Sequence, residues 1–358
     1  MGRIFNFSAG PAVLPESVLK IAQDQLLDYK GTGMSLMEMS HRSKPYDEVH
    51  MGTLATLRRL AGIPDDFDIL FMTGGASLQF ALVPMNLGRG NPVGYVNTGA
   101  WSEKAIKEAE IQGLNVVDAG SSASSNHNHI PAVTAAQGLD YLHLTSNNTI
   151  FGTQWQSFPD SGDTKLVVDM SSDFLSRPID WKHMGLVYAG AQKNAGPAGL
   201  TLVILRKEYY EREKKSTPTM LRYSTHGKND SLYNTPPTFL IYLFSLVLGW
   251  IEEQGGLTGI ASSNQKKADL IYNALDAYPT FYLPHARKDS RSLMNITFNL
   301  ANKDLEKEFL SGSEKLKMDG LKGDRSVGGF RASIYNAMPH SGCQCLADYL
   351  NDFAKKHG

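Results

Sequence analysis

Residues 185–200 read GLVYAGAQKNAGPAGL: an apolar strand running into small residues that present a single lysine, Lys193, between Gly190 and Gly196. Uninterrupted apolar runs of this length suit strands buried on both faces, as in a parallel sheet covered by helices. A lysine at the exit of such a strand suits Schiff-base chemistry, because burial lowers an amine's pKa toward neutrality. A second apolar strand upstream, KLVVDM at 165–170, delivers Asp169, followed by Ser171. An acid there could sit against the ring nitrogen of pyridoxal phosphate and hold it protonated, which makes the ring an electron sink.

Working outward, helical and strand signals alternate from about residue 15 to 258, the pattern of an α/β domain with a mostly parallel sheet. Pro15 and Glu16 open a helix expected to stop at Gly31, and a second runs from about Tyr46 to Ala61. Strands are read at DILFM, PVGYVN, NVVDA, YLHLT, KLVVD, GLVYA and LTLVIL, with helices after TGGAS and near Trp101. FLIYLFSLVLGWI at 239–251 follows Pro236 and Pro237 and is too short to span a bilayer, so it is a buried helix. Beyond about 258 come SSNQKKADLIYNAL as a helix, strands at TFYLP, LMNITFNL and FRASIYN, and helices at 303–310 and 341–355. The division expected is a large domain over 16–258 and a small α+β domain over 259–358 joined by the N-terminal segment 1–15.

The chain has 358 residues, 42% hydrophobic and 20% charged, with a net charge of −1, which suits a small-metabolite enzyme and gives no field for nucleic acid or membrane. Cys343 and Cys345 are too few for a disulfide framework or a structural zinc site, and the N-terminus has no signal-peptide core; a cytoplasmic protein is expected. His127 and His129 in the polar stretch GSSASSNHNH could ligate a metal, but no third ligand is evident and no metal is read. In TGGASLQF, Gly74 and Gly75 allow close approach of an anion, with Ala76 and Ser77 at the start of the next helix; a plain strand-to-helix turn has the same signature. Trp101, after NTGA, could lie flat on a planar ring or simply pack in a core. Gly75, Trp101, Asp169 and Lys193 all follow predicted strands, where ligands of open α/β sheets collect.

The motifs FNFSAGPAVLP, MEMSHRSK, AGAQKNAGPAGLT, YNTPPTF and VGGFRASIYNAMP, in this order along the chain, resemble the phosphoserine aminotransferase family. The resemblance implies a fold-type I transferase dependent on pyridoxal phosphate, with a seven-stranded sheet in the large domain. It further implies a homodimer with shared active sites, exchanging an amino group between L-glutamate and 3-phosphohydroxypyruvate to give 2-oxoglutarate and O-phospho-L-serine. By the same resemblance Lys193 would bind the cofactor covalently, Asp169 would hold its ring nitrogen, Trp101 would stack on the ring, and Thr149 would approach the phenolic oxygen. Ala76, Ser77 and Gln192, with Asn234 and Thr235 from the other subunit, would hold its phosphate. Arg331 would grip the substrate carboxylate, and His41, Arg42 and Arg325 would receive the substrate phosphate or the distal carboxylate of glutamate. The chain departs from the family in LKGDRSVGG, where Asp324 stands in place of a common histidine and would oppose a dianion. A desulfurase-like enzyme needs a mobile cysteine before the small-domain arginine, whereas both cysteines follow Arg331. A non-enzymatic phosphate-binding module would have no use for a buried lysine.

Overall fold

A computed structural model describes residues 2–134 and 137–358. Seven strands form one sheet, in the spatial order Phe67–Met72, Thr201–Arg206, Met184–Gly190, Leu166–Asp169, Leu142–Thr145, Val93–Asn97 and Val116–Ser121. Thr201–Arg206 runs antiparallel to both of its neighbours, and the other pairings are parallel. The central strands are buried along their whole length, which explains why they read as continuous apolar runs.

Alternation along each strand sends its side chains to two separate cores. Leu186, Tyr188 and Val167 join Phe80 and Ala105 on one face, where the helices Gly75–Leu87 and Ala100–Ile111 pack. Val187, Ala189 and Val168 face the other way, onto Ile241, Phe244 and Leu248 of the helix Thr238–Glu253. Each large side chain so buried contributes roughly 1.5–3 kcal/mol.

The helix Gly256–Asp276 crosses residue 258, the expected division. Its Leu257 and Ile260 belong to the large-sheet core, whereas Ala268, Ile271 and Leu275 pack in a second core under the sheet Tyr282–Pro284, Asn295–Leu300 and Phe330–Ser333. Phe7 is part of that second core, and Phe5–Asn6 pairs in parallel with Met318–Asp319. The first helix ends at Asp24, not at Gly31. Beyond it Asp28 Oδ1 accepts the Gly33 N–H at 2.8 Å, and Gly31 and Gly33 adopt φ of 79° and 77°, so the chain turns and Tyr29 packs edge-on against Tyr242.

Candidate active site

Because Leu166–Asp169 and Met184–Gly190 are parallel neighbours, both deliver their next residues to the same sheet edge. Asp169 is buried, and its Oδ1 accepts the Ser171 N–H at 2.9 Å and the Ser171 hydroxyl at 2.6 Å. Burial raises its pKa, against the pull of Ser171 and of the Lys193 charge. The Ser171 hydroxyl oxygen in turn accepts the Gly190 N–H at 3.0 Å, tying the two strand ends together.

Lys193 lies in the turn after Gly190, and its Nζ donates to Thr149 Oγ1 at 2.5 Å and to Ser172 Oγ at 3.1 Å. The Thr149 and Ser172 hydroxyls are themselves 2.6 Å apart. Burial pushes the ammonium down to about 8, with the nearby Asp169 charge opposing that fall and Arg331 adding to it. The Trp101 ring, at the start of the helix Ala100–Ile111, lies 4.8 Å from Lys193 Nζ, and the Trp101 Nε1 is buried without a partner. Thus the structure gathers Lys193, Asp169, Thr149 and Trp101 into one pocket.

The helix Gly75–Leu87 begins after Gly74, whose φ of 90° favours glycine, and the hydroxyl of Thr201, the strand partner of Gly190, accepts its first N–H, that of Gly75, at 2.8 Å. Ala76 and Ser77 present free helix-start amides, and a methyl added at Gly75 would meet nothing within 4 Å. Gln192 adjoins Lys193, and its carbonyl accepts the Ala12 N–H at 2.9 Å.

Arg331 enters from the small sheet, half-buried, with Nε buried and unpartnered. Desolvation lowers its pKa, opposed by Tyr335 and Asp324. Arg325 is exposed on the preceding loop. Asp324 turns its carboxylate onto its own loop: Oδ1 accepts the Ser326 N–H at 3.0 Å and the Ser326 hydroxyl at 2.8 Å, which holds it below the usual carboxylate range. His41 and Arg42 precede the helix Lys44–Ala61, and Asn234 and Thr235 are exposed, Asn234 bonding only to the Thr235 carbonyl. Among the described residues no hydrogen bond or ion pair joins these four to the Lys193 pocket of their own chain.

His127 and His129 have ordinary partners: His127 Nε2 lies 3.5 Å from Glu103 Oε1, and His129 Nδ1 lies 3.0 Å from Asn128 Oδ1. Sequence reasoning missed Ser172 as a contact of Lys193, although DMSSD places two serines one residue beyond Asp169. Also missed was Asn336, whose N–H donates to Asn194 Oδ1 at 2.8 Å, beside Lys193.

The class-V aminotransferase family model matches residues 4–346. The chain is 54% identical to the phosphoserine aminotransferase of Geobacillus kaustophilus, over 99% of each chain. Its structure superposes on phosphoserine aminotransferase from Bacillus circulans subsp. alkalophilus with a TM-score of 0.97, at 52% identity and covering 99% of both. With the pyridoxal-phosphate-bound phosphoserine aminotransferase of Trichomonas vaginalis the TM-score is 0.93, at 38% identity over 97% of this chain and 99% of that one.

Proposed function

The chain belongs to the class-V aminotransferase family, among the phosphoserine aminotransferases, and we propose that it exchanges an amino group between L-glutamate and 3-phosphohydroxypyruvate, giving 2-oxoglutarate and O-phospho-L-serine. The observation that carries this reading is the Lys193 amine, lowered to about 8 beside a buried carboxylate and under an indole face.

The residues fit pyridoxal phosphate. An amine faces an indole with an orphaned Nε1 and feels a buried acid, and the helix start at Gly75 is tied by Thr201 to the strand that ends at Gly190. When bound, that cofactor supplies an electron sink for the charge left at the substrate α-carbon. Lys193 would bind it covalently, Asp169 would hold the proton at its ring nitrogen, Trp101 would cover the ring, and Thr149 would meet the phenolic oxygen. Ala76, Ser77 and Gln192 would take the phosphate.

Lys193 then has a second task, since an amine near pKa 8 can both accept and return a proton at neutral pH. Its Nζ would take the α-proton from the substrate and, as the ammonium so formed, give a proton back on the cofactor side of the transferred nitrogen. The Thr149 and Ser172 hydroxyls can rotate to accept from the charged amine or donate to the neutral one, so they hold Nζ in either state. Arg331 orients the substrate by its carboxylate, where a planar guanidinium makes two parallel bonds.

His41, Arg42, Asn234 and Thr235 complete this reading from a second copy of the chain. They are exposed or half-exposed, among the described residues no hydrogen bond or ion pair ties them to their own pocket, and Leu27, Met34 and Met37 leave apolar surface uncovered. Among the described residues no helix is long and apolar enough to cross a membrane, and action in the cytoplasm is part of the proposal. The test is a half-reaction on holoenzyme, following loss of the cofactor's absorbance near ~400 nm. Phosphoserine should bleach it rapidly and serine slowly; an equal response to both would remove the phosphate-specific substrate.

A further inference from the structure

We propose that Lys267 is a positioning residue for this reaction: its buried ammonium gathers three backbone carbonyls and thereby sets the Arg331 strand against the Lys193 turn. The proposal rests on the reading of Arg331 as the group that binds the substrate carboxylate.

Lys267 lies on the helix Gly256–Asp276 and is 1% exposed. Its Nζ donates to the carbonyls of Ile334 at 3.0 Å, Tyr335 at 2.7 Å and Asn336 at 3.2 Å. An ammonium has three protons and no acceptor, so this cage uses all of them. Among the described residues Lys267 forms no ion pair, and the one ionisable group felt by it is the buried Cys343 thiol. An isolated buried charge is expensive, and a hydrocarbon side chain would fill the space without that penalty. The charge must therefore be retained for what it holds.

What it holds is the exit of the strand Phe330–Ser333, which carries Arg331. Ile334 directly follows the Arg331 strand, and the other two caged residues are linked onward. Asn336 donates its N–H to Asn194 Oδ1 at 2.8 Å and its Nδ2 to the Leu175 carbonyl at 2.9 Å. Asn264, one turn before Lys267 on the same helix face, donates to Asn336 Oδ1 at 2.8 Å. The Tyr335 hydroxyl donates to the Ala9 carbonyl at 2.7 Å, and a methyl on the next residue, Gly10, would sit 3.1 Å from Lys193 Cγ. From the caged carbonyls one path leads back to Arg331 and two lead to Lys193, so releasing the cage loosens the carboxylate site relative to the amine.

The two amino-acid substrates differ at their distal ends and share the α-carboxylate. In Lys267→Met holoenzyme, KM for L-glutamate and for O-phospho-L-serine should rise together by about tenfold, with kcat within about threefold of wild type. Titration of the apoprotein with pyridoxal phosphate should give an unchanged affinity, which a general loss of structure would not. Lys267→Gln, with two donors, should fall between wild type and Lys267→Met, and it reads the same split if the methionine variant does not fold. Unchanged KM values in a folded variant, or a rise for one substrate alone, would overturn the proposal. Failure of the wild type to use either substrate would instead remove the reaction on which it rests.

Discussion

Two lysines in this molecule, Lys193 half-buried and Lys267 fully buried, carry ammonium groups that desolvation pushes down to about 8, yet their surroundings suit them to opposite work. Lys193 is held by the hydroxyls of Thr149 and Ser172 beneath an indole, and a hydroxyl can accept from an ammonium or donate to an amine. Lys267 is held by three carbonyls, which only accept, so its cage is complete only while the group stays charged. Desolvation makes a lysine easier to deprotonate; the partners decide whether the proton can leave without breaking the structure around it. The difference separates a proton carrier from a rivet.

The largest effect should come from removing the carrier. Lys193→Ala should lose about 10³-fold or more in turnover while the protein still folds, measured by steady-state transamination and thermal unfolding. Residual turnover close to wild type would erase the distinction between the lysines.

A smaller effect should appear in the pH dependence of stability. Each lysine has a folded pKa of about 8 against an ordinary value of 10.5, so between these values the unfolded chain binds more protons than the folded one. Stability of the apoprotein should therefore rise with pH across this window, by up to ~1.4 kcal/mol per pH unit for each lysine. Denaturant titrations from pH 8 to about 9, below the range in which most tyrosines ionise, should show the slope reduced in Lys267→Met. A slope equal to wild type would mean that its cage holds the ammonium charged throughout, which would widen the contrast with Lys193.

The smallest effect concerns the charges around Arg331, which Lys193 feels and Lys267 does not. Asp324→Asn keeps the Oδ1 acceptor of the Ser326 turn while removing a negative charge that acts on Arg331. Phosphoserine should bind about two- to threefold more tightly, within the range of exposed charge pairs, with no change for serine. Weaker phosphoserine binding would show that the carboxylate assists the site.

Much of this was legible in the chain. Apolar runs marked the strands because a sheet covered on both faces needs no alternation, and Asp169 and Lys193 stood out because polar groups directly after such runs lie at a sheet edge. Spatial strand order was not legible, nor was the antiparallel direction of Thr201–Arg206, because both are set by contacts distant in sequence. The first helix was read too long because QLLDYK continues a helical pattern, whereas Asp28 and two glycines favour a turn there. Lys267 was hidden beside the exposed Lys266 in QKKADLIY. The signal lay in its spacing: with Asn264, Ala268, Ile271 and Leu275 it falls on the buried stripe of the helix. His41 and Arg42 could be named by resemblance but not from the fold, since among the described residues no hydrogen bond or ion pair joins them to the Lys193 site.

The pairing of Phe5–Asn6 with Met318–Asp319, and the passage of Ala9 and Gly10 between Tyr335 and Lys193, set a timetable for biosynthesis. Phe5 and Asn6 find their strand partner, and Ala9 its hydroxyl, only after Met318 and Tyr335 have been made. Until then Ala12 can bond the Gln192 carbonyl, but Phe5 and Asn6 have no strand to pair with and the Ala9 carbonyl lacks the Tyr335 hydroxyl. The site becomes whole only once Arg331 and Tyr335 have been made, so a nascent chain that stops short of them could bury much of its large sheet and still be unable to hold a substrate.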